Sequence, residues 1–152
     1  MTARPVMLGA DPKKRSLVIP GEPFALKRAR AFRMGAGVRF HDDPRNVSWK
    51  GSAIVLMRAS MAGAAPATGP VRLSVVARFA CPKGDERKRD PRPERWSLSQ
   101  KDADNILKAV GDAGNGVLWN DDRQVVEAHV VKRIAAQGCP AETVIVWEEI
   151  EP

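Results

Sequence analysis

Two aspartates one residue apart, Asp102 and Asp104, mark the part of this 152-residue sequence in which side chains could do chemistry. They lie at the start of a predicted helix, where a single carboxylate could simply cap the free backbone N–H groups. Two carboxylates followed by Asn105 exceed what capping requires. A second pair, Asp121 and Asp122, follows a glycine-containing turn at the head of a predicted strand. We therefore expect the four carboxylates to gather in one place.

Carboxylates that gather in this way repel each other unless a cation joins them. Oxygen ligands suit Mg²⁺, whose coordination is completed by water and substrate phosphate. A bound metal polarises a phosphoryl oxygen and activates water, which is the chemistry of phosphodiester hydrolysis. Lys108 lies four residues after Asp104, so both share one helix face. Lys108 is either half of a surface ion pair or an ammonium group that offsets charge on the phosphate and orients the nucleophile.

The adjacent aspartates pose a geometric question. In a regular strand their side chains would point to opposite faces of the sheet, so only one of them could reach a metal. In a turn or a bulge both could do so. We expect Asp122 to be the direct ligand, and we leave Asp121 as either a ligand or a residue that supports the site from outside the metal's coordination.

The charge balance bears on the kind of partner. Lys and Arg number 25 against 18 Asp and Glu, which gives a formal net charge of +7. Basic side chains that neutralise phosphates supply most of the energy of non-specific nucleic-acid binding. A surplus of this size is also compatible with ordinary solubility, so charge alone leaves both interpretations open.

The basic residues are densest between residues 27 and 39, a segment without an acidic residue. Gly35 and Gly37 within it predict a hairpin or a flexible loop. Its basic side chains could hold a phosphate backbone while phenylalanines touch bases, but we expect at least two of the phenylalanines to pin the segment onto the core instead. The basic residues are Lys27, Arg28, Arg30, Arg33 and Arg39, and the phenylalanines are Phe24, Phe32 and Phe40.

Several other function classes are disfavoured. Cys81, Cys139, His41 and His129 lack the ligand spacing of a zinc site. The sequence contains no G-x-S-x-G motif and no phosphate-binding glycine loop. No apolar run approaches the roughly 18 residues needed to span a membrane, and the first 15 residues lack the apolar stretch of a signal peptide. We expect a cytoplasmic protein without a membrane partner.

Hydrophobic patterning predicts the elements that must position these residues. Strands are expected at residues 16–19, 71–79, 124–134 and 143–147, and helices at residues 44–62 and from about 99–102 to 114–116. Mixed strands and helices without regular β-α-β alternation are typical of the α+β class. We predict one small α+β domain over residues 15–152, a mixed sheet packed against two main helices, after a flexible tail over residues 1–14.

Finer predictions concern single positions. The first helix should bury a partial apolar stripe of Val47, Ile54, Val55 and Met61, and the strand at 124–134 should alternate at Val126, Ala128 and Val130. The second helix should present one apolar face, formed by Ile106, Ala109, Val110, Ala113 and Val117. Gly111 and Gly114 should weaken the second helix relative to alanine. Residues 82–95 hold three prolines and ten charged residues, so they form a loop that is either functional or disordered.

The segment KDADNILK (residues 101–108), followed by NG (residues 115–116) and WNDDRQVV (residues 119–126), resembles the core of RusA-type Holliday-junction resolvases. That family's pattern is a D-x-D-N-x-x-K helix start and a W-x-D-D-x-Q-[VI]-V strand start. The segment IPGEP at residues 19–23, with the basic segment after it, is similar too. The resemblance covers residues 16–148, and its specific part is residues 101–133. Ala103 departs from it, since a larger aliphatic residue is usual between the two aspartates.

The resemblance implies a homodimeric, Mg²⁺-dependent endonuclease that cuts four-way DNA junctions by paired symmetric nicks, with Mn²⁺ as a substitute metal. A two-fold dimer would bring two equivalent sites to a nearly two-fold symmetric substrate. Lys108 would be the catalytic lysine and Lys101 a DNA contact. The implied metal ligands are all aspartates: Asp102, Asp104 and Asp122, with Asp121 contributing.

Two alternatives stay open from the sequence. One is a non-catalytic DNA- or RNA-binding module, in which the aspartates are helix caps and surface charge. The other is a nuclease for flaps or other branched DNA, which would share the site and differ only in the shape of its substrate. Metal-dependent cleavage separates the first from a resolvase, and substrate preference separates the second.

Overall fold

A computed structural model describes residues 13–28 and 30–151. The chain forms β1 (Lys14–Pro20), β2 (Arg30–Met34), β3 (Gly37–His41), α1 (Pro44–Met61), β4 (Val71–Phe79), β5 (Arg95–Trp96), α2 (Ala103–Gly114), β6 (Val125–Ile134) and β7 (Glu142–Glu149). Short 3-10 turns lie at Lys83–Asp85 and Asp122–Gln124. The predicted α+β class is confirmed. The tail predicted at residues 1–14 lies mostly outside the described residues, and its last residue already belongs to β1.

A five-stranded mixed sheet carries the fold, in the order β1-β7-β4-β6-β5. β4 and β6 run parallel, and the other neighbours are antiparallel. β4 is the central strand, and its alternate residues from Val71 to Phe79 are buried. This period of two places one face of the strand against the helices. Among the described residues, no helix is both long and apolar enough to cross a membrane.

The core lies between the sheet and the two helices. α1 packs against α2 and β1, and α2 packs against β6. α2 buries a regular apolar face, as its spacing predicts, except that Val117 lies beyond the end of the helix and is only partly buried. Each fully buried large aliphatic side chain of this kind stabilises the fold by roughly 1.5–3 kcal/mol. The buried residues of α2 are Ile106, Ala109, Val110, Ala113 and Gly114.

The apolar stripe predicted for α1 is wrong in part. Val47 and Val55 are exposed, Ile54 is half-buried, and only Met61 of the predicted set is buried. The face that α1 turns to the core includes a buried asparagine and an alanine, which hydrophobic patterning does not mark as a core face. The buried positions are spaced seven and four residues apart: Asn46, Ala53, Met57 and Met61.

The alternation predicted for β6 is also wrong in part, because Val126 and Ala128 are exposed. The pairing with β4 passes from Val125 to Glu127, so Val126 is an extra residue in a bulge that interrupts the alternation. In addition, β5 pairs only with the far end of β6, which leaves the near end open along one edge. Val130 packs partly against the core.

The basic segment forms a hairpin, the first of its two predicted forms, in which β2 and β3 make a sheet of their own. The expectation that two phenylalanines pin it to the core is wrong, since Phe32 and Phe40 are exposed. Only Phe24, before the hairpin, is half-buried, and it stacks on Trp49 with 5.3 Å between ring centroids. A two-stranded ribbon has no second layer to cover its side chains.

The charged loop at residues 82–95 follows a defined course across the surface. The Gln137 side chain accepts hydrogen bonds from the backbone N–H groups of Arg87 and Arg92, and it donates one to the Arg87 carbonyl. Arg95 and Asp85 form an ion pair at 2.6 Å. The Gln137 hydrogen bonds tie the loop to the turn after β6, and the ion pair joins the first part of the loop to its end.

Candidate active site

The first turn of α2 presents the paired aspartates. Asp102 holds the N-cap position, but its carboxylate accepts no hydrogen bond from a backbone N–H there. The side-chain amide of Asn105 lies 3.5 Å from Asp102 Oδ2. A capping role therefore does not account for this carboxylate, which is exposed at the positive end of the helix dipole.

Asp104 and Lys108 lie beside each other one turn apart. Lys108 Nζ is 3.6 Å from Asp104 Oδ2, and about two-thirds of each side chain is exposed. An exposed pair of this kind contributes only a few tenths of a kcal/mol to stability. The prediction that Asp104 and Lys108 share one helix face is confirmed. Because their ion pair is weak, either group can exchange it for a contact with a substrate or a metal ion at little cost in stability.

The loop that leads into α2 is held by a lysine which the sequence did not single out. Lys132 on β6 donates from Nζ to the carbonyls of Ser99 at 2.9 Å and Lys101 at 2.8 Å. Its half-buried ammonium group thus fixes the backbone immediately before Asp102. Lys132 is one of four ionisable residues in β6, so nothing in the local sequence distinguished it or indicated its partners.

Lys101, predicted to contact DNA, has a structural partner as well. Its Nζ donates to the Pro23 carbonyl at 2.5 Å and lies 5.5 Å from the centre of the Phe79 ring. The side chain is half-buried. It joins the start of α2 to the segment that precedes the hairpin, and its contact with DNA stays a prediction.

The root of the basic hairpin adjoins the same helix start. The Leu26 N–H donates to the Asn105 carbonyl at 3.1 Å. Lys27, Lys101 and Asp102 are among the residues that line a surface cavity of about 490 Å³ at this junction. The fold therefore places basic side chains and a carboxylate around one open cavity, which the sequence could not show because the two segments lie about 75 residues apart along the chain.

Asp121 is occupied by local contacts. It caps the 3-10 turn Asp122–Gln124, and its carboxylate accepts hydrogen bonds from the Arg123 N–H at 2.9 Å and from the Arg123 guanidinium at 3.1 Å. These bonds hold the pKa of the Asp121 carboxyl below its usual value. The Asp121 N–H in turn donates to the Gln124 side chain at 2.7 Å. Asp121 thus serves the turn itself.

Asp122 is oriented by a buried tryptophan. Trp119 Nε1 donates to Asp122 Oδ1 at 3.0 Å, and the Trp119 ring is fully buried, whereas Asp122 is exposed. The two aspartates therefore lie in a turn before β6, and their carboxylates have different partners. The W-x-x-D spacing was the sequence signal for this contact.

The aspartates supply oxygen ligands of the kind that Mg²⁺ prefers, and those of Asp102 and Asp104 are exposed. However, the residues that the structure describes contain no group of three Asp, Glu, His or Cys side chains arranged to hold a metal ion. The expectation that all four carboxylates gather in one place is therefore not met within one chain. The donor chemistry fits a hard cation, but the complete ligand set is not assembled.

The predicted DNA-binding residues are accessible. Those on the hairpin and at its root are all exposed, and no salt bridge in the described part of the chain involves them. Their charges are therefore free to meet phosphate groups. They are Lys27, Arg28, Arg30 and Arg33.

Exposed carboxylates and a lysine at a helix start, next to a basic hairpin, are features of enzymes that hydrolyse a nucleic-acid backbone. Residues 20–145 match the family model of the endodeoxyribonuclease RusA, and the chain belongs to this family. The protein is thus an endodeoxyribonuclease of a Holliday-junction resolvase family. The match contains both aspartate pairs, and it confirms the resemblance noted in the sequence.

One relative is a curated protein of Bacillus subtilis (strain 168), the uncharacterized protein YqaN. The two sequences are 30% identical over 117 residues, which is 74% of this chain and 82% of that protein. The aligned region is thus most of both chains.

Proposed function

We propose that this protein resolves four-way DNA junctions by paired symmetric nicks, in a reaction that depends on Mg²⁺. The observation that carries the proposal is the Asp102 carboxylate, which stands at a helix start without capping it. A hydrogen-bonded cap does not explain this side chain, whereas a role in phosphodiester chemistry does. The family to which the chain belongs supports the same reaction.

The proposed metal ligands are Asp102, Asp104 and Asp122, with Asp121 contributing to the charge of the site. Because the described residues contain no assembled group of three such side chains, this proposal requires the metal and the DNA to draw the carboxylates together. Bound Mg²⁺, or Mn²⁺ in its place, would polarise the scissile phosphoryl group and activate water. Lys108, beside Asp104, offsets negative charge that develops on the phosphate. Trp119 holds one oxygen of Asp122 and leaves the other free for this role.

The basic residues bind the DNA backbone in this proposal. Lys27, Arg28, Arg30 and Arg33 hold phosphates along the hairpin and its root, and Lys101 does so at the start of α2. A homodimer presents two such surfaces to the nearly two-fold symmetric junction. Because the substrate is cellular DNA, we place the protein in the cytoplasm.

The test is cleavage of a labelled four-way junction by wild type and by Asp104→Asn. We expect the variant to lose cleavage by about 10²-fold or more, while it still binds the junction in Ca²⁺. Asp112→Asn is the matched control, because it makes the same change at an exposed position of the same helix, and it should cleave as wild type does. Full cleavage in the presence of a chelator would contradict the proposal.

A comparison of three DNA substrates separates the two remaining alternatives, a non-catalytic nucleic-acid-binding module and a nuclease for other branched DNA. Junction, flap and linear duplex are incubated with the protein, each with and without Mg²⁺. Binding without cleavage under every condition would identify a non-catalytic nucleic-acid-binding module. Cleavage of the flap in preference to the junction would keep the site and change the substrate.

A further inference from the structure

The hairpin β2–β3 carries large apolar side chains of which half or more of the surface is exposed in the described chain. Every residue of both strands is exposed. The exposed fractions are 51% for Phe32, 63% for Met34, 56% for Val38 and 71% for Phe40. Exposed apolar residues grouped on one small element mark an interaction surface more often than isolated ones do.

Each face of the ribbon combines a phenylalanine with an arginine. Partners across an antiparallel pair lie on the same face, so Phe32 shares a face with its partner Arg39. Arg33 and its partner Val38 lie on the other face, as does Phe40, two residues along the strand. A flat ring beside a guanidinium group, repeated on both faces, fits a partner that offers planar groups and negative charge.

A buried asparagine fixes the hairpin at both of its ends. Asn46 in α1 is 4% exposed. It bonds the backbone of Lys27 through two hydrogen bonds of 3.1 and 2.9 Å, and its amide lies 3.3 Å from Asp42 Oδ1. The ribbon therefore projects from a firm base, and that base lies beside the candidate active site through the bond from Leu26 to Asn105.

Charge decides which partner this surface fits. Residues 27–41 contain five basic residues and no acidic one, so two copies of the hairpin would repel each other, while a polyanion would be attracted. Aromatic rings stack on nucleic-acid bases without regard to sequence. In a continuous duplex every base pair is stacked between two neighbours along the helix, whereas at a branch point the arms end, so their terminal base pairs can unstack and expose base faces when the junction opens.

We propose that the hairpin β2–β3 enters the branch point of junction DNA, where Phe32 and Phe40 stack on exposed bases and Arg30, Arg33 and Arg39 hold the flanking phosphates. This inference rests on the proposed function for the kind of DNA, and it adds the element that distinguishes a branch from a duplex. Phe32 and Phe40 are specificity-determining residues that touch DNA in this proposal.

The test measures binding in Ca²⁺, without cleavage, to a four-way junction and to a linear duplex with the same arms. A 2-aminopurine base at the branch point reports unstacking. Wild type should raise its fluorescence. Phe32→Ala/Phe40→Ala should lose this signal and bind the junction on the order of ten-fold more weakly, with duplex binding unchanged. Val55→Ala, an exposed apolar residue on α1, is the control and should bind as wild type.

Two further variants separate the possible causes. Phe32→Leu/Phe40→Leu keeps apolar volume but removes the ring faces, so it should behave as the alanine pair does. If the leucine variant binds and unstacks the junction as wild type does, the proposal that the two phenylalanine rings stack on bases is overturned. Arg30→Gln/Arg33→Gln/Arg39→Gln should weaken junction and duplex binding alike. It should also reduce the slope of log K against log salt by roughly one for each phosphate that the variant no longer neutralises.

Sedimentation of each variant tests whether a second copy of the chain, rather than DNA, binds this surface of the hairpin. If the phenylalanine variants dissociate from dimer to monomer, the hairpin binds a second copy of the chain and the DNA proposal is overturned. Failure of the hairpin proposal can be told apart from failure of the nuclease proposal, because unstacking and cleavage are measured separately. A protein that unstacks the branch point but never cleaves it would retain the hairpin's role and contradict the nuclease proposal.

Discussion

At the scale of single residues, Asp121 and Asp122 differ sharply although they are neighbours in the chain. Asp121 bonds the backbone and guanidinium group of Arg123. Asp122 receives a hydrogen bond from the buried Trp119 indole. The buried indole thus orients the Asp122 carboxylate through Oδ1, and Oδ2 can bind a metal ion. This difference supports Asp122 as the ligand and Asp121 as a residue that maintains the turn.

Conservative amide variants test this assignment. Asp122→Asn should lower junction cleavage by about 10²-fold or more, because it removes a charge from the proposed metal site. Asp121→Asn should keep most of the activity, because asparagine caps a turn as well as aspartate does. Initial rates at saturating Mg²⁺ provide the measurement. Equal loss of cleavage in both variants would make Asp121 a direct ligand.

Asp43 provides a pH-dependent contribution at the start of α1. It caps the helix, and its hydrogen bonds with the Arg45 side chain and N–H lower the pKa of the carboxyl from 3.8 to about 2. Because the pKa is lower in the folded state than in the unfolded state, the charged carboxylate stabilises the fold above about pH 4. That contribution is lost as the pH falls from 3.8 toward 2.

We therefore expect Asp43→Ala to melt at a lower temperature than wild type at pH 7, with a gap that narrows between about pH 4 and pH 2. Circular dichroism melts across this range measure the gap. Asp112→Ala, at an exposed position of α2, is the control for the loss of an acidic residue. A gap of constant size at every pH would show that Asp43 does not act through its charge.

At the scale of elements, the two glycines of α2 have different roles. Both were expected to weaken the helix. The space around Gly111 is open, but a Cβ at Gly114 would lie 2.8 Å from the Trp119 ring. Gly114 therefore permits the close approach of Trp119, which in turn orients Asp122. The weakening of the helix by both glycines stays a prediction, and that prediction did not include the packing at Gly114.

Alanine at each position separates the two effects. Gly111→Ala should raise the free energy of unfolding by about 0.5–1 kcal/mol, because alanine favours a helix over glycine. Gly114→Ala should lower it by roughly 1–3 kcal/mol through overpacking, and it should also reduce cleavage, because the Trp119 ring must move. Urea unfolding and junction assays measure these effects. An active, stabilised Gly114→Ala protein would refute this role for the glycine.

The elements also show why patterning succeeded for α2 and failed in part for α1. The buried face of α2 is apolar or glycine throughout, so its spacing is visible in the sequence. The buried face of α1 contains Asn46, which is satisfied by Lys27 from a distant segment. A polar residue can be buried where a partner meets its hydrogen bonds, and the sequence does not disclose that partner.

At the scale of the whole molecule, the proposed homodimer has a thermodynamic consequence. When only the dimer is fully folded, association shifts the folding equilibrium by mass action. The melting temperature should then rise over a roughly hundredfold increase in protein concentration. Calorimetry measures this, with sedimentation equilibrium at the same concentrations. A monomer at every concentration, with a constant melting temperature, would contradict the homodimer.

The sequence alone indicated the class of enzyme and the local structure that presents its paired aspartates. The spacing of Asp102, Asp104 and Lys108 on a regular helix specifies a group of charges on one helix turn, because helical geometry depends only on near neighbours. The same spacing identified the family. The glycines of the basic segment likewise indicated a hairpin or a flexible loop, because turn geometry is local.

Only the tertiary structure decided how these parts act together. Lys132 on β6 holds the loop before Asp102, Trp119 orients Asp122, and the hairpin base lies against the start of α2. The exposure of Phe32 and Phe40 belongs to this group as well. Each depends on the space around a side chain or on partners brought together by folding, which no local pattern encodes.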